Sequence, residues 1–215
     1  MVGIADLQHI SADVRDNLPL GISIAVALKP QVISEIKDGP TKPYYQEYER
    51  ANHLLGELGH CAVEFAKARG HQAKWFAATS VGINSNTLST RLPHKTVAAL
   101  AGLGWIGKCA LLVTRTYGSA VRITTVLTDA GLPTGHRMDT ILCGKCTSCV
   151  DACPSHAPSG KNWQIGLHRD TFFNAFACQK AARELTMKRV GIRETLCGIC
   201  IAVCPWTQKY IRRAN

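Results

Sequence analysis

The sequence predicts an α/β (α+β) first domain followed by a small cysteine-rich domain, and three observations carry that reading. Apolar, β-branched runs alternate with a helical period up to about residue 140. Eight of the ten cysteines fall in the last third of the chain. The composition changes abruptly at Ile141, where loop-like cysteine motifs replace the alternating pattern. The predicted domains are therefore residues 1–140 and 141–215.

The first domain can be justified element by element. Residues 21–28 (GISIAVAL) are apolar and β-branched, as a buried strand requires. After the turn at Gly39-Pro40, residues 45–69 carry a helical period. Leu54, Leu55, Leu58, Ala62, Phe65 and Ala66 recur at steps of three and four, and Gly70 stops the helix. Residues 74–78, 110–114 and 119–128 read as further strands, and Pro93 opens a helix with His94 in its first turn. In the second domain, helical stretches are expected around residues 170–188 and beside the cysteine motifs.

Composition limits the function classes. At 46% hydrophobic and 19% charged residues, the chain is that of a globular protein. No apolar stretch is long enough to span a bilayer, so no membrane partner is expected. The N-terminal residues lack the basic start and apolar run of a secretory signal, which makes the cytoplasm the expected compartment. Ten cysteines in a reducing compartment point to metal binding rather than disulfides. The formal charge of +10 overstates the basicity, because ligated thiolates outweigh the charge of the metal they hold. The remaining positive charge suits an acidic redox partner or RNA, and net charge does not separate the two.

The cysteine spacing is specific. Cys143, Cys146, Cys149 and Cys153, followed by Pro154, fit C-x₂-C-x₂-C-x₃-C-P without a mismatch. In this ferredoxin-type run three thiolates hold one [4Fe–4S] cubane and the fourth reaches a second. A zinc site would instead favour two C-x₂-C knuckles. The second run, Cys197, Cys200 and Cys204-Pro205, supplies three more ligands. Two cubanes need eight, so one of Cys61, Cys109 and Cys178 must complete the set. Cys178 is the predicted eighth ligand because it lies nearest to Cys197, whereas Cys61 and Cys109 read as buried small hydrophobes. Crossed ligation then gives one cluster Cys143, Cys146, Cys149 and Cys204, and the other Cys153, Cys178, Cys197 and Cys200.

Gly102, Gly104 and Gly107 form a GxGxxG string, the pattern of a dinucleotide-binding turn. That turn follows a strand and opens a helix, whereas here a helical segment precedes and a strand follows. Nicotinamide binding is excluded on that order.

The same stretch resembles a different family. AGLGWIGK, the LLV strand, YGS and the VLTD strand end, followed by the cysteine block closing in Cys204-Pro205-Trp206, are similar to the epoxyqueuosine reductases and the related reductive dehalogenases. The likeness is strong over about residues 90–210. It implies a corrinoid (cobalamin) held by the α/β domain beside a ferredoxin-like domain with two [4Fe–4S] clusters. On this resemblance His94, Lys95, Gly102, Gly104, Trp105, Ile106, Gly107 and Lys108 are candidate cofactor contacts. The glycines let backbone approach a flat macrocycle, Trp105 flanks it and Lys108 meets its phosphate. No DxHxxG string occurs in the chain, so a base-off form without a protein histidine ligand is expected.

The chain also departs from the family. Ungapped counting puts Leu88 and His94 where the family has its catalytic aspartate and a glutamate. No Asp or Glu occurs between Glu64 and Asp129. The C-terminal helical-repeat extension that helps the family recognise tRNA is not expected, since Cys204 lies eleven residues from the last one. His94 is the candidate proton donor, with Tyr44, Tyr45 and Tyr48 as others. Two functions follow: a small corrinoid-dependent reductase, or an electron-transfer or corrinoid-handling protein without its own organic substrate. Either needs an electron donor protein such as a ferredoxin or flavodoxin.

Overall fold

The computed structural model describes residues 1–78, 83–138, 141–164 and 166–214. In chain order the elements are β1 (Val2–Asp6), β2 (Leu20–Ala27), α1 (Pro30–Ser34), α2 (Lys42–Lys67), β3 (Ala73–Phe76), α3 (His94–Leu100), β4 (Trp105–Ile106), β5 (Leu112–Val113), β6 (Val121–Thr128), α4 (Ser148–Asp151), α5 (Ala175–Val190), α6 (Ile199–Ala202) and α7 (Pro205–Ala214). A 3₁₀ turn, Arg169–Thr171, precedes α5.

Two compact units are built from these elements, each from separate stretches of chain. The first takes Met1–Val26, Arg50–Gly104 and Arg122–Asp139, the second Ala27–Glu49, Trp105–Val121 and Thr140–Asn215. The expected break near residue 140 is one of the crossings. The second unit also draws in two earlier segments.

The first unit is a four-stranded sheet of order β1-β2-β6-β3. β1 pairs antiparallel with β2 through Val2↔Ile24 to Asp6↔Leu20, and β3 pairs antiparallel with β6 through Ala73↔Thr128 to Phe76↔Thr125. α3 lies against β1 and closes a core of Ala5, Leu7, Leu18, Val97, Ala101 and Leu127. Burying its leucine and valine side chains contributes roughly 1.5–3 kcal/mol each before conformational entropy is counted.

α2 forms as expected, but its buried stripe is rotated from the predicted one. Ala51, Leu55, Val63 and Ala66 are buried, while Leu58 and Phe65 face solvent. The cause is Trp75 on β3. A Cβ at Gly59 would lie 2.3 Å from the indole, so the helix turns its glycine towards the tryptophan. The indole Nε1 donates to the Thr124 hydroxyl at 2.9 Å. Phe65, left outside, is covered instead by the Arg69 guanidinium at 3.4 Å from the ring centre.

In the second unit β4 and β5 form a short antiparallel hairpin, Trp105↔Val113 and Ile106↔Leu112. α7 packs on α1, and the Tyr210 hydroxyl donates to the Leu28 carbonyl at 3.0 Å. Tyr210 also meets Tyr117 edge-on at 5.2 Å. Among the described residues, no helix is long and apolar enough to cross a membrane.

Candidate iron–sulfur centre

Both cysteine runs build the same local device. α4 and α6 are four-residue helices, and each carries a motif cysteine, Cys149 or Cys200, at its second position. In each, the residue after the helix donates its N–H to the first and third helical carbonyls. The next cysteine then closes the turn, Cys153 N–H on Val150 and Cys204 N–H on Ile201, both at 3.3 Å. A proline follows each, and Pro205 begins α7. The two helices pack against one another.

None of the ten cysteines forms a disulfide. Burial pushes the Cys178 thiol up to about 11, and the neighbouring Cys197 and Cys153 add to the shift. Cys197 is raised by burial and by Cys153, against a backbone hydrogen bond at Ile199. Cys204 is raised by burial and by Cys143, against the amides of Thr207 and Trp206. Cys178 thus shares its electrostatic surroundings with Cys197 and Cys153, and Cys204 with Cys143. Half-buried thiols crowded in this way resist ionising together until a cation takes up their charge. Among the described residues no three potential ligands converge as one metal ion requires. A cubane takes one thiolate on each of its four irons and needs no such convergence.

Donors to sulfur surround these thiols. The Ser148 hydroxyl lies 3.5 Å from the Cys146 sulfur, and the Ser155 hydroxyl 3.5 Å from that of Cys153. Trp105 Nε1 donates to the Cys143 sulfur at 3.4 Å. Lys108 Nζ, with the residue only 5% exposed, donates to the Cys146 carbonyl at 2.9 Å. This donor set and buried cation fit a ligand shell that carries net negative charge.

The β4–β5 hairpin therefore has a role that sequence reasoning did not find. Trp105, Ile106 and Lys108 were expected against a corrinoid, yet all three are buried, at 1%, 2% and 5% exposure. The Trp105 and Lys108 side chains are turned onto the first cysteine loop, and Trp105 also meets Trp206 edge-on at 5.3 Å. A Cβ at Gly107 would lie 3.6 Å from the Cys143 sulfur, so this glycine belongs to the same surface. Gly102, at φ +76°, backs onto His136, whose carbonyl oxygen would stand 2.4 Å from an added Cβ. Gly104 is buried. The helix-then-strand order around the glycines is the one expected, α3 before and β4 after.

His94 starts α3 as predicted. Its Nε2 donates to the Ala77 carbonyl and its Nδ1 accepts from the Thr125 hydroxyl, both at 2.9 Å. Burial pulls its pKa below the usual 6.5, and Arg122 adds to that. The ring is a neutral latch between α3, β6 and the end of β3, with neither nitrogen offered to a substrate. Because the folded pKa is depressed, the unfolded chain binds the extra proton first, and stability rises with pH across that window. The contribution is complete above about 6.5 and fades as pH falls below it. His94→Gln should flatten the stability–pH slope below pH 6.5, measured by denaturant titration at several pH values.

Tyr44 is buried at 3% exposure against Gly198, inside the second cysteine run. Cys61, expected to be buried, is exposed on α2, whereas Cys109 is buried as expected. Cys109 sits in the hairpin turn between β4 and β5, 5% exposed. Interaction with Cys149 lowers its pKa, but interaction with Cys200 and burial outweigh this and hold it well above the usual thiol range.

The 4Fe-4S double cluster binding domain matches residues 142–207. Epoxyqueuosine reductase of Pseudomonas aeruginosa is 33% identical over 115 residues, covering 54% of this chain and 32% of that protein. Epoxyqueuosine reductase of Cellulophaga algicola is 29% identical over 179 residues, covering 78% of this chain and 56% of that protein. The chain thus spans between a third and just over half of these relatives. Among solved structures, a reductive dehalogenase described in terms of B12-dependent dehalogenation superposes with a TM-score of 0.73 at 18% identity, over 100% of this chain and 31% of that one. An epoxyqueuosine reductase bound to a modified tRNA-Tyr stem loop superposes with a TM-score of 0.63 at 20% identity, over 97% of this chain and 61% of that one.

Proposed function

We propose that this chain, which is similar to the epoxyqueuosine reductases and carries a 4Fe–4S double cluster binding domain, is a redox protein whose two cubanes feed a corrinoid-dependent reduction. The grouping of its thiols carries the reading. Cys143, Cys146, Cys149 and Cys204 would hold one cluster, and Cys153, Cys178, Cys197 and Cys200 the other. The neighbours found for Cys178 and Cys204 support this crossed arrangement. Bound there, the clusters supply one-electron transfer. The chain's own residues present the thiolates, donate hydrogen bonds to them from Trp105, Ser148 and Ser155, and set the buried Lys108 ammonium beside the first loop.

A base-off cobalamin is the second part of the proposal. It is supported by the AGLGWIGK-to-VLTD resemblance and by the fold shared with the B12-dependent dehalogenase structure. The Trp105 and Lys108 side chains are engaged with the cysteine loop, so that stretch would meet a corrinoid through its backbone. The alternative is an electron-transfer or corrinoid-handling protein without an organic substrate. The engaged ring of His94 and the lack of Asp or Glu between Glu64 and Asp129 favour it over epoxide reduction.

Anaerobic purification should yield about eight irons and eight acid-labile sulfides per chain, as two cubanes require. Stoichiometric zinc with little iron would overturn the cluster reading. Titration with cob(II)alamin should convert the cobalt EPR signal from the base-on to the base-off hyperfine pattern. A spectrum unchanged at saturating protein removes the corrinoid and leaves the electron-transfer reading.

A further inference from the structure

The two sides of α5 differ in character. Ala182 and Thr186 are buried, and Cys178, the predicted eighth cluster ligand, stands one turn before them on the same side. On the opposite side Phe176, Lys180, Arg183 and Met187 recur at steps of three and four, with Lys188 beside them, and all five are exposed. Two of these are large apolar groups left in water, Phe176 at 50% and Met187 at 44% exposure. Past the end of the helix the chain returns with Arg193. Together with Arg183, Glu184, Met187 and Lys188 it lines an open groove of about 670 Å³. The groove thus gathers three cations and one carboxylate around an exposed methionine. Arg183 Nε donates to the Thr195 hydroxyl at 3.1 Å. Among the described residues, none of Lys180, Arg183, Lys188 and Arg193 is ion-paired.

We propose that this face of α5 is the docking surface for a small acidic one-electron carrier protein, whose carboxylates meet Lys180, Arg183, Lys188 and Arg193 while Phe176 and Met187 form the apolar contact. The inference rests on the double-cluster reading given above, which puts Cys178 in the ligand set of one cluster. Charge complementarity identifies the partner: cations without ion pairs of their own attract a carboxylate-rich surface and steer its approach. Aromatic, methionine and arginine side chains are the ones enriched where proteins meet. A redox encounter also needs only a small interface, which suits a face one helix wide. The stripe covers the same turns of helix that carry Cys178, and Lys188 lies only about 15 Å from it along the axis. A carrier seated there brings its redox group to the outer side of the helix that holds the thiol. One electron passes at each encounter: the reduced carrier loses it, the oxidised cluster gains it, and no bond is made or broken. An RNA backbone would be drawn by the same cations, but phosphates make no use of the exposed Met187 in the groove or of Cys178 beneath it.

The test uses the iron-loaded chain and an acidic flavodoxin. Calorimetric titration with both proteins oxidised reads binding alone, and anaerobic stopped-flow mixing with reduced flavodoxin reads electron transfer. Wild type should bind and be reduced, and both should weaken as salt is added. Arg183→Glu combined with Lys188→Glu should lower affinity and rate by about tenfold or more at low salt. Lys67→Glu combined with Arg69→Glu, an equal change of charge at the end of α2, should alter neither by more than about twofold. Iron content and the final extent of reduction by dithionite should match wild type in both variants, which separates lost docking from lost clusters. Wild-type affinity in the α5 variant would overturn the proposal, and so would an equal loss in the α2 variant. Loss of affinity for an RNA stem-loop, with flavodoxin binding unchanged, would assign the face to RNA and overturn it too. Wild-type clusters that dithionite reduces, but that flavodoxin neither binds nor reduces, would also overturn it. Absence of iron from the wild type would instead strike the double-cluster reading itself.

Discussion

Cys178→Ala should lower the iron content from about eight atoms per chain to between about four and seven, because one cubane loses a ligand. Cys178 sits near the start of α5, which the Asn174 side chain caps by accepting from the Ala177 N–H at 3.0 Å. The cap fixes the helix start, and with it the thiol's position beside Cys197 and Cys153. With Cys178 gone, Cys153, Cys197 and Cys200 remain, enough to hold a three-iron cluster or to lose the cluster altogether. Iron and sulfide analysis with EPR of oxidised and reduced samples distinguishes these. Cys61→Ala, on the exposed face of α2, is the control and should keep the full complement. Two intact cubanes in Cys178→Ala would mean that another residue supplies the eighth ligand.

Gly118→Ala should destabilise the protein by about 3 kcal/mol or more, the combined effect of left-handed strain and overpacking. Gly118 has φ +59°, and an added Cβ would stand 2.2 Å from the Thr207 backbone nitrogen. The obstacle is main chain, so no rotamer change relieves it. Thr207 is itself fully buried, and its hydroxyl accepts from the Ser119 N–H at 3.1 Å. Moving it displaces the first turn of α7, whose Pro205 directly follows Cys204. A lower thermal midpoint together with loss of iron is the expected pair of results. A midpoint within a degree or two of wild type would show that the 118–207 contact can open without harm.

What the sequence made legible follows from the range of the interactions involved. The cysteine runs could be read because their spacing is a local property of ten or so residues, set by how a tight loop presents thiolates. β2, β3, β6, α3 and α2 were visible through periodicity. β1 was not: only Ala5 is buried in it, so its five residues carry no alternating signal and owe their conformation to pairing with β2. The face of α2 was misjudged because Gly59, which contributes nothing to an apolar count, is what meets Trp75. The hairpin's role was hidden by distance along the chain. Trp105 and Cys143 are 38 positions apart, as are Lys108 and Cys146, and no spacing rule links them. Cys109 was read correctly as buried, but burial says nothing about which thiols surround it.

The bond between Tyr210 and Leu28 spans 182 positions, and it ties together the first and last segments of the second unit. During synthesis, then, that unit waits for α7 to leave the ribosome, and long-range closures of this kind fold slowly. Cys143, Cys146 and Cys149 are translated well before Cys197, Cys200 and Cys204, which complete the thiol set. Cluster insertion consequently belongs after translation. In the interval the nascent chain carries open thiols, exposed to oxidation before the ligand set is complete.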